Sequence, residues 1–112
     1  MMSDFSGLLE MLGGSTDLLQ KLVCLFLDVY PEQLSTIKDA GLLGDAEKLE
    51  RAAHGLKGSA AAIRAEEIYE AAHTLEVMGR SGSLEGWQEA VGRLEECLDA
   101  FEKASAEYFD LA

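Results

Sequence analysis

The chain has 112 residues, and its 21 acidic residues against 9 basic ones give a formal net charge of −12. Such a chain repels nucleic acid and anionic lipid, so neither is expected as a partner. The length fits one domain spanning residues 1–112, and a hydrophobic fraction of 48% is that of a folded globular chain.

The longest unbroken apolar run, Leu22 to Leu27, falls far short of the roughly 20 residues a membrane span needs. The N-terminus carries no basic region leading into an apolar stretch, so no signal peptide is expected, and a cytoplasmic location is. Cys24 and Cys97 are too few for a disulfide scaffold and fall on apolar helix faces, which reads as two reduced core thiols.

Helix formers dominate, and no segment alternates with a two-residue period. Breaks fall at Gly13-Gly14-Ser15, at Gly41 to Asp45 and at Gly79 to Ser83. A first short helix follows a candidate cap at Asp4 and carries Phe5, Leu8, Leu9 and Leu12. The second runs from about Thr16 to Ala40, with Leu18, Leu19, Leu22, Val23, Phe26, Val29, Leu34 and Ile37 as its apolar residues. Pro31 removes one backbone donor there, but the apolar period resumes after it, so a kink is expected rather than an end.

Asp45 caps a third helix reaching about Ile63, and a fourth covers roughly Glu66 to Met78. The fifth starts near Ser83 and carries Trp87, Val91, Leu94, Leu98, Phe101 and Tyr108 at seam spacing. The expected fold is all-α: an antiparallel four-helix bundle over about residues 15–109, with a short additional N-terminal helix covering one end.

On a wheel of about 100° per residue, Leu49, Ala53, Leu56, Ala60 and Ile63 of the third helix share one side, which is the core side. His54 points away from it, in a polar stripe with Glu47, Glu50, Arg51, Lys57, Gly58 and Ala61. Lys57 is one turn on and can swing toward an anion on the imidazole, and Arg51, one turn back, is a second candidate cation. Gly58 sits beside the ring, where a missing side chain leaves room for a phosphoryl group and an approaching partner. Glycine in a helix interior costs about 1 kcal/mol against alanine, which suggests a compensating use. From the wheel alone, an exposed histidine on an acidic helix remains open to a plain surface role.

The string His54-Gly55-Leu56-Lys57-Gly58-Ser59-Ala60 resembles the phosphorylation-site motif of histidine-containing phosphotransfer (HPt) domains. Ala52-Ala53 before it, the proline-bearing stretch Phe26 to Leu34, and Ala72-His73-Thr74-Leu75-Glu76, which is similar to the family's A-x-x-L-E helix, extend the likeness over roughly residues 15–109. The resemblance implies a phosphocarrier, not a self-sufficient enzyme. His54 would accept a phosphoryl group from a receiver-domain aspartate and pass it to another receiver, with reaction at the ring nitrogen farther from the backbone. Lys57 and Gly58, with Arg51, would support the phosphoryl site. No cofactor is expected on this chain, which has no phosphate loop; magnesium would sit on the partner receiver domain. Where the family often has glycine this chain has Arg64, so the turn after the third helix is expected to differ or to stay more tightly helical.

Leu8, Met11 and Leu12 of the first helix, together with Ala61, are candidates for the receiver-docking surface, with capping of the bundle core as the other reading of the leucines. The charge predicts a monomer. Two other classes stand beside phosphotransfer. One is a non-catalytic helical adaptor; a variant of the main reading is the phospho-acceptor domain of a chemotaxis-type histidine kinase. A metal-binding bundle would use the Glu70/His73 pair, but it needs a second such pair, so no metal site is expected.

Overall fold

The computed structural model describes residues 5–109, and the candidate cap Asp4 lies outside them. Five helices follow one another: α1 (Ser6–Met11), α2 (Thr16–Leu43), α3 (Ala46–Ala62), α4 (Glu66–Ser81) and α5 (Trp87–Phe109). The last four form an antiparallel bundle closed by contacts of α2 with α3, α3 with α4, α4 with α5 and α5 with α2. No described helix is long and apolar enough to cross a membrane.

The starts of α2 and α3 are written in the sequence. Ser15 accepts a hydrogen bond from Leu18 N at 3.1 Å, and Asp45 accepts one from Lys48 N at 3.0 Å. Each satisfies a backbone donor that the first turn leaves free. α2 runs unbroken through Pro31 for 28 residues. At about 1.5 Å per residue it spans the 43 Å long axis of the molecule. It ends three residues later than expected, because Gly41 is not a breaker. Gly41 is buried inside the helix, and the Trp87 indole packs where a Cβ would stand. Gly44, at φ 67°, makes the turn instead.

Two further boundaries differ from the sequence reading. α4 continues through Gly79 to Ser81, and α5 begins at Trp87, after a turn, rather than near Ser83. Gly79 survives mid-helix because α3 passes directly over it: a Cβ there would lie 2.6 Å from Glu50 N and 2.7 Å from Ala46 O. That glycine sets the close approach of the two helices that carry the site described below.

The turn between α3 and α4 corrects another expectation. Arg64 adopts φ 56°, the left-handed conformation that glycine takes without strain. Ala65 N bonds back to Ala60 O at 2.9 Å and Arg64 N to Ala61 O at 3.1 Å, closing the end of α3. The glycine-type turn is therefore kept, with arginine in the strained position.

The core is built from Leu19, Val23, Phe26 and Ile37 of α2, Leu49, Ala53, Leu56 and Ala60 of α3, Ile68, Ala72 and Leu75 of α4, and Val91, Leu94, Leu98 and Phe101 of α5. α1 closes one end. Phe5, just before it, packs on Phe101 and Tyr108 at ring-centroid distances of 5.6 and 5.0 Å. Leu8 is buried in the same plug, so it caps the core and offers nothing to a partner. Tyr108, on the seam pattern of α5, is half-exposed at the edge of this cluster.

Candidate functional site

The wheel places His54 outward, and its side chain is 69% exposed near the middle of α3. Gly58 stands open beside it, with no atom within 4 Å of where a Cβ would be. Both positions agree with the sequence reading.

What holds the imidazole comes from the neighbouring helix. Glu76 of α4 is buried, with its side chain 4% exposed. Its Oε2 lies 2.7 Å from His54 Nδ1. Its other oxygen, Oε1, lies 2.6 Å from Lys57 Nζ. Arg80, one turn further along α4, brings its guanidinium 3.2 Å from Oε2 and 3.2 Å from Glu50 of α3. His73 completes the group, with Nδ1 3.5 Å from Oε1.

A carboxylate taken from water must be paired and hydrogen-bonded to stay charged. Glu76 meets that condition: the Lys57 hydrogen bond, the His54 hydrogen bond and the attraction of both outweigh the effect of burial and hold its pKa down at about 2. It is therefore an anion at neutral pH. An anionic acceptor on Nδ1 fixes the proton on that nitrogen. The remaining nitrogen, Nε2, has no partner among the described residues and lies on the exposed side of the ring.

Lys57 is not the free surface cation that the wheel suggests. Its side chain is only 17% exposed, tied to Glu76, with Nζ 5.7 Å from the centre of the Tyr69 ring. Its long apolar stem lets it leave the exposed stripe and reach the buried carboxylate. Arg51 is exposed and forms no ion pair among the described residues; Arg80 supplies the second cation in its place. Sequence reasoning missed both Glu76 and Arg80 as site residues. The signal for Glu76 was present: a glutamate directly after Leu75, on the α4 face that also carries Ala72 and Gly79, is a charge on a core stripe.

The docking candidates separate. Leu8 is buried, Leu12 partly buried, and Met11 and Ala61 are exposed. A larger apolar surface lies on α2, where Leu18, Leu25 and Val29 are exposed. Leu25 and Val29, with Leu22 and Phe26, line an apolar groove closed by Ala62 at the end of α3 and by Ile63, which follows it. Ala62 is one helical turn beyond Gly58, and Gln33 of α2 bonds Ser59 at 3.2 Å, so the groove adjoins the histidine face. Among the described residues no cluster of three His, Cys, Asp or Glu side chains has metal-binding geometry; Glu70 is exposed, and His73 faces Glu76 instead.

The helical bundle thus presents an outward histidine, backed by a buried anion and flanked by a cation and a glycine. The chain belongs to the Hpt family: the family model described as "Hpt domain" matches residues 21–104. Domains of this family serve phosphotransfer in phosphorelays, as phosphocarriers that interact with receiver domains. No curated protein and no solved structure matches the chain.

Proposed function

We propose that His54 is the phospho-acceptor and that Nε2 is the reacting atom. The carrying observation is the 2.7 Å contact between Nδ1 and Glu76 Oε2, which leaves Nε2 as the nitrogen with a free lone pair on an exposed ring. In the forward step Nε2 attacks the phosphorus of a receiver's aspartyl phosphate. The N–P bond forms, the acyl P–O bond breaks, and the aspartate leaves as carboxylate. No proton has to depart, because the one on Nδ1 stays between the ring and Glu76, which stabilises the positive charge the ring acquires. Transfer to a second receiver reverses these changes.

Phosphoryl transfer depends on in-line placement and charge stabilisation. Lys57 supplies the cation by turning from Glu76 to the phosphoryl oxygens, and Gly58 leaves the approach open. Arg51 stays on the exposed stripe as an outer cation for the docked complex. The chain itself needs no cofactor; magnesium belongs to the receiver's carboxylate site. We place the receiver on the α2 groove of Leu22, Leu25 and Val29, beside His54, with Met11 and Ala61 at its margin. Leaving this apolar surface open gives a transient partner something to bury.

Incubation with phosphorylated receiver domains tests the reading. The label on this chain is expected to be acid-labile and base-stable. It is lost in His54→Gln, which keeps its helical circular dichroism. A label that persists in that variant, or disappears only when His73 is replaced, refutes the assignment.

A further inference from the structure

Glu76 has two oxygens with unequal support. Oε2 is shared by His54 at 2.7 Å and Arg80 at 3.2 Å. Oε1 has one close cation, Lys57, at 2.6 Å. Facing the same oxygen is His73 Nδ1, 3.5 Å away, beyond a good hydrogen bond. The His73 ring is part-exposed, but this nitrogen is buried and makes no hydrogen bond, and Oε1 facing it is held by the Lys57 ion pair alone. A buried polar atom without a partner is costly and calls for an explanation.

The transfer reaction supplies one. A phosphoryl group on His54 Nε2 adds up to two negative charges on the exposed side of the ring and attracts Lys57. Every ångström the ammonium moves toward those oxygens lengthens its contact with Oε1. Glu76 cannot follow, because its other oxygen holds His54 Nδ1 and Arg80. A buried carboxylate oxygen is then left without its cation.

We infer that His73 is a positioning residue for the transfer: its Nδ1–H takes over Glu76 Oε1 when Lys57 turns to the phosphoryl group. The inference rests on His54 being the acceptor. His73 stands three residues before Glu76 on the same helix. Its ring lies parallel to Tyr69, with centroids 6.4 Å apart and an interplanar angle of 11°. A small rotation over that ring closes the gap to Oε1. Glu76 thus stays anionic and in place, so Nδ1 of His54 stays held in both states of the carrier. The carrier can lend out its lysine without losing its histidine geometry.

Two substitutions separate this role from packing. His73→Phe keeps a ring over Tyr69 and removes the donor, while His73→Asn places an amide N–H near the position of Nδ1. Each variant is equilibrated with one phosphorylated receiver domain that labels the wild-type chain. His73→Phe is expected to hold about tenfold less phosphohistidine at equilibrium, the loss of one hydrogen bond to a charged group. Its unphosphorylated unfolding midpoint is expected to be no lower than that of wild type, because Lys57 covers Oε1 in that state and the variant removes an unpartnered buried nitrogen. His73→Asn is expected to recover most of the loss. In wild type, the ¹⁵N resonance of His73 Nδ1 is expected to shift to that of a hydrogen-bonded donor on phosphorylation, and not in Glu76→Gln. Equal phosphohistidine in His73→Phe and wild type, or an Asn variant no better than Phe, overturns the inference. If both variants unfold, an unchanged Nδ1 resonance in wild type overturns it. A wild-type chain that takes no label, or a label elsewhere than His54, is a different failure and overturns the acceptor assignment itself.

Discussion

The carboxylate of Glu76 crosses from α4 to the imidazole of His54 on α3, Oε2 to Nδ1, at 2.7 Å. The charge that governs the histidine is buried while the histidine is exposed. The exposed ring is free to meet partners, and the anion behind it is shielded from solvent, where electrostatic interactions are stronger.

Replacing Glu76 by Gln keeps the size and removes the charge. The amide accepts a hydrogen bond weakly and gives little support to a positive ring. Transfer to and from His54 is expected to fall by about ten- to a hundredfold, the worth of a hydrogen bond to a charged group. Rapid-quench transfer from a labelled receiver measures it. An unchanged rate would remove Glu76 from the mechanism.

Lys57→Ala is expected to affect both transfer and stability. From the sequence, Lys57 is a solvated charge whose loss costs under about 1 kcal/mol. The structure replaces that expectation, because Lys57 is mostly buried and is the close cation on Glu76 Oε1. Its removal leaves a buried carboxylate under-paired, so the domain is expected to lose about 1–3 kcal/mol. Denaturant unfolding of the variant checks the loss, and Lys57→Ala/Glu76→Gln is expected to recover part of it.

The same carboxylate makes stability depend on pH. Glu76 has a folded pKa lowered to about 2 against 4.5 in the unfolded chain. The unfolded state therefore binds the proton first as the solution is acidified. This contribution is complete above the unfolded value and is lost as pH falls from about 4.5 toward 2. The melting temperature of wild type is expected to drop through this window more steeply than that of Glu76→Gln. Parallel curves would show that the carboxylate is not held down.

Two glycines on adjacent helices are expected to respond in opposite ways. At Gly58 a Cβ meets open space, so Gly58→Ala is expected to stabilise the domain by up to about 1 kcal/mol. Transfer is expected to slow from Gly to Ala to Gln as the approach to His54 fills. At Gly79 a Cβ would press on the backbone of Glu50 and Ala46, so Gly79→Ala is expected to destabilise by about 1–3 kcal/mol. It should also slow transfer, by separating the helices that bring Glu76 to His54. Unfolding curves and transfer rates for the two alanine variants decide the matter.

Local patterns fixed most of the architecture. The caps at Ser15 and Asp45 act within three residues, and the apolar stripes of α3 and α5 repeat at helical spacing, so both are visible in one dimension. The same periodicity put His54 and Gly58 on the outer face of α3. The helix ends were less legible. Gly41 and Gly79 look like breakers in isolation, but each is required by a neighbour, the Trp87 ring in one case and the α3 backbone in the other.

What the sequence by itself determined is what depends on neighbours along the chain: four long helices, an outward histidine with a lysine one turn on, and a glycine beside it. What only the tertiary structure decided is what lies across the α3–α4 contact. Glu76, His73 and Arg80 are 22, 19 and 26 residues from His54 along the chain, yet Glu76 reaches the His54 ring, with His73 and Arg80 gathered on its carboxylate, because Gly79 lets the two helices close. Packing also turned Lys57 inward and left Arg51 outside, although both stand one turn from His54. A helix wheel records the direction of each Cα–Cβ bond; it holds no information on where a long side chain finds an opposite charge on the next helix.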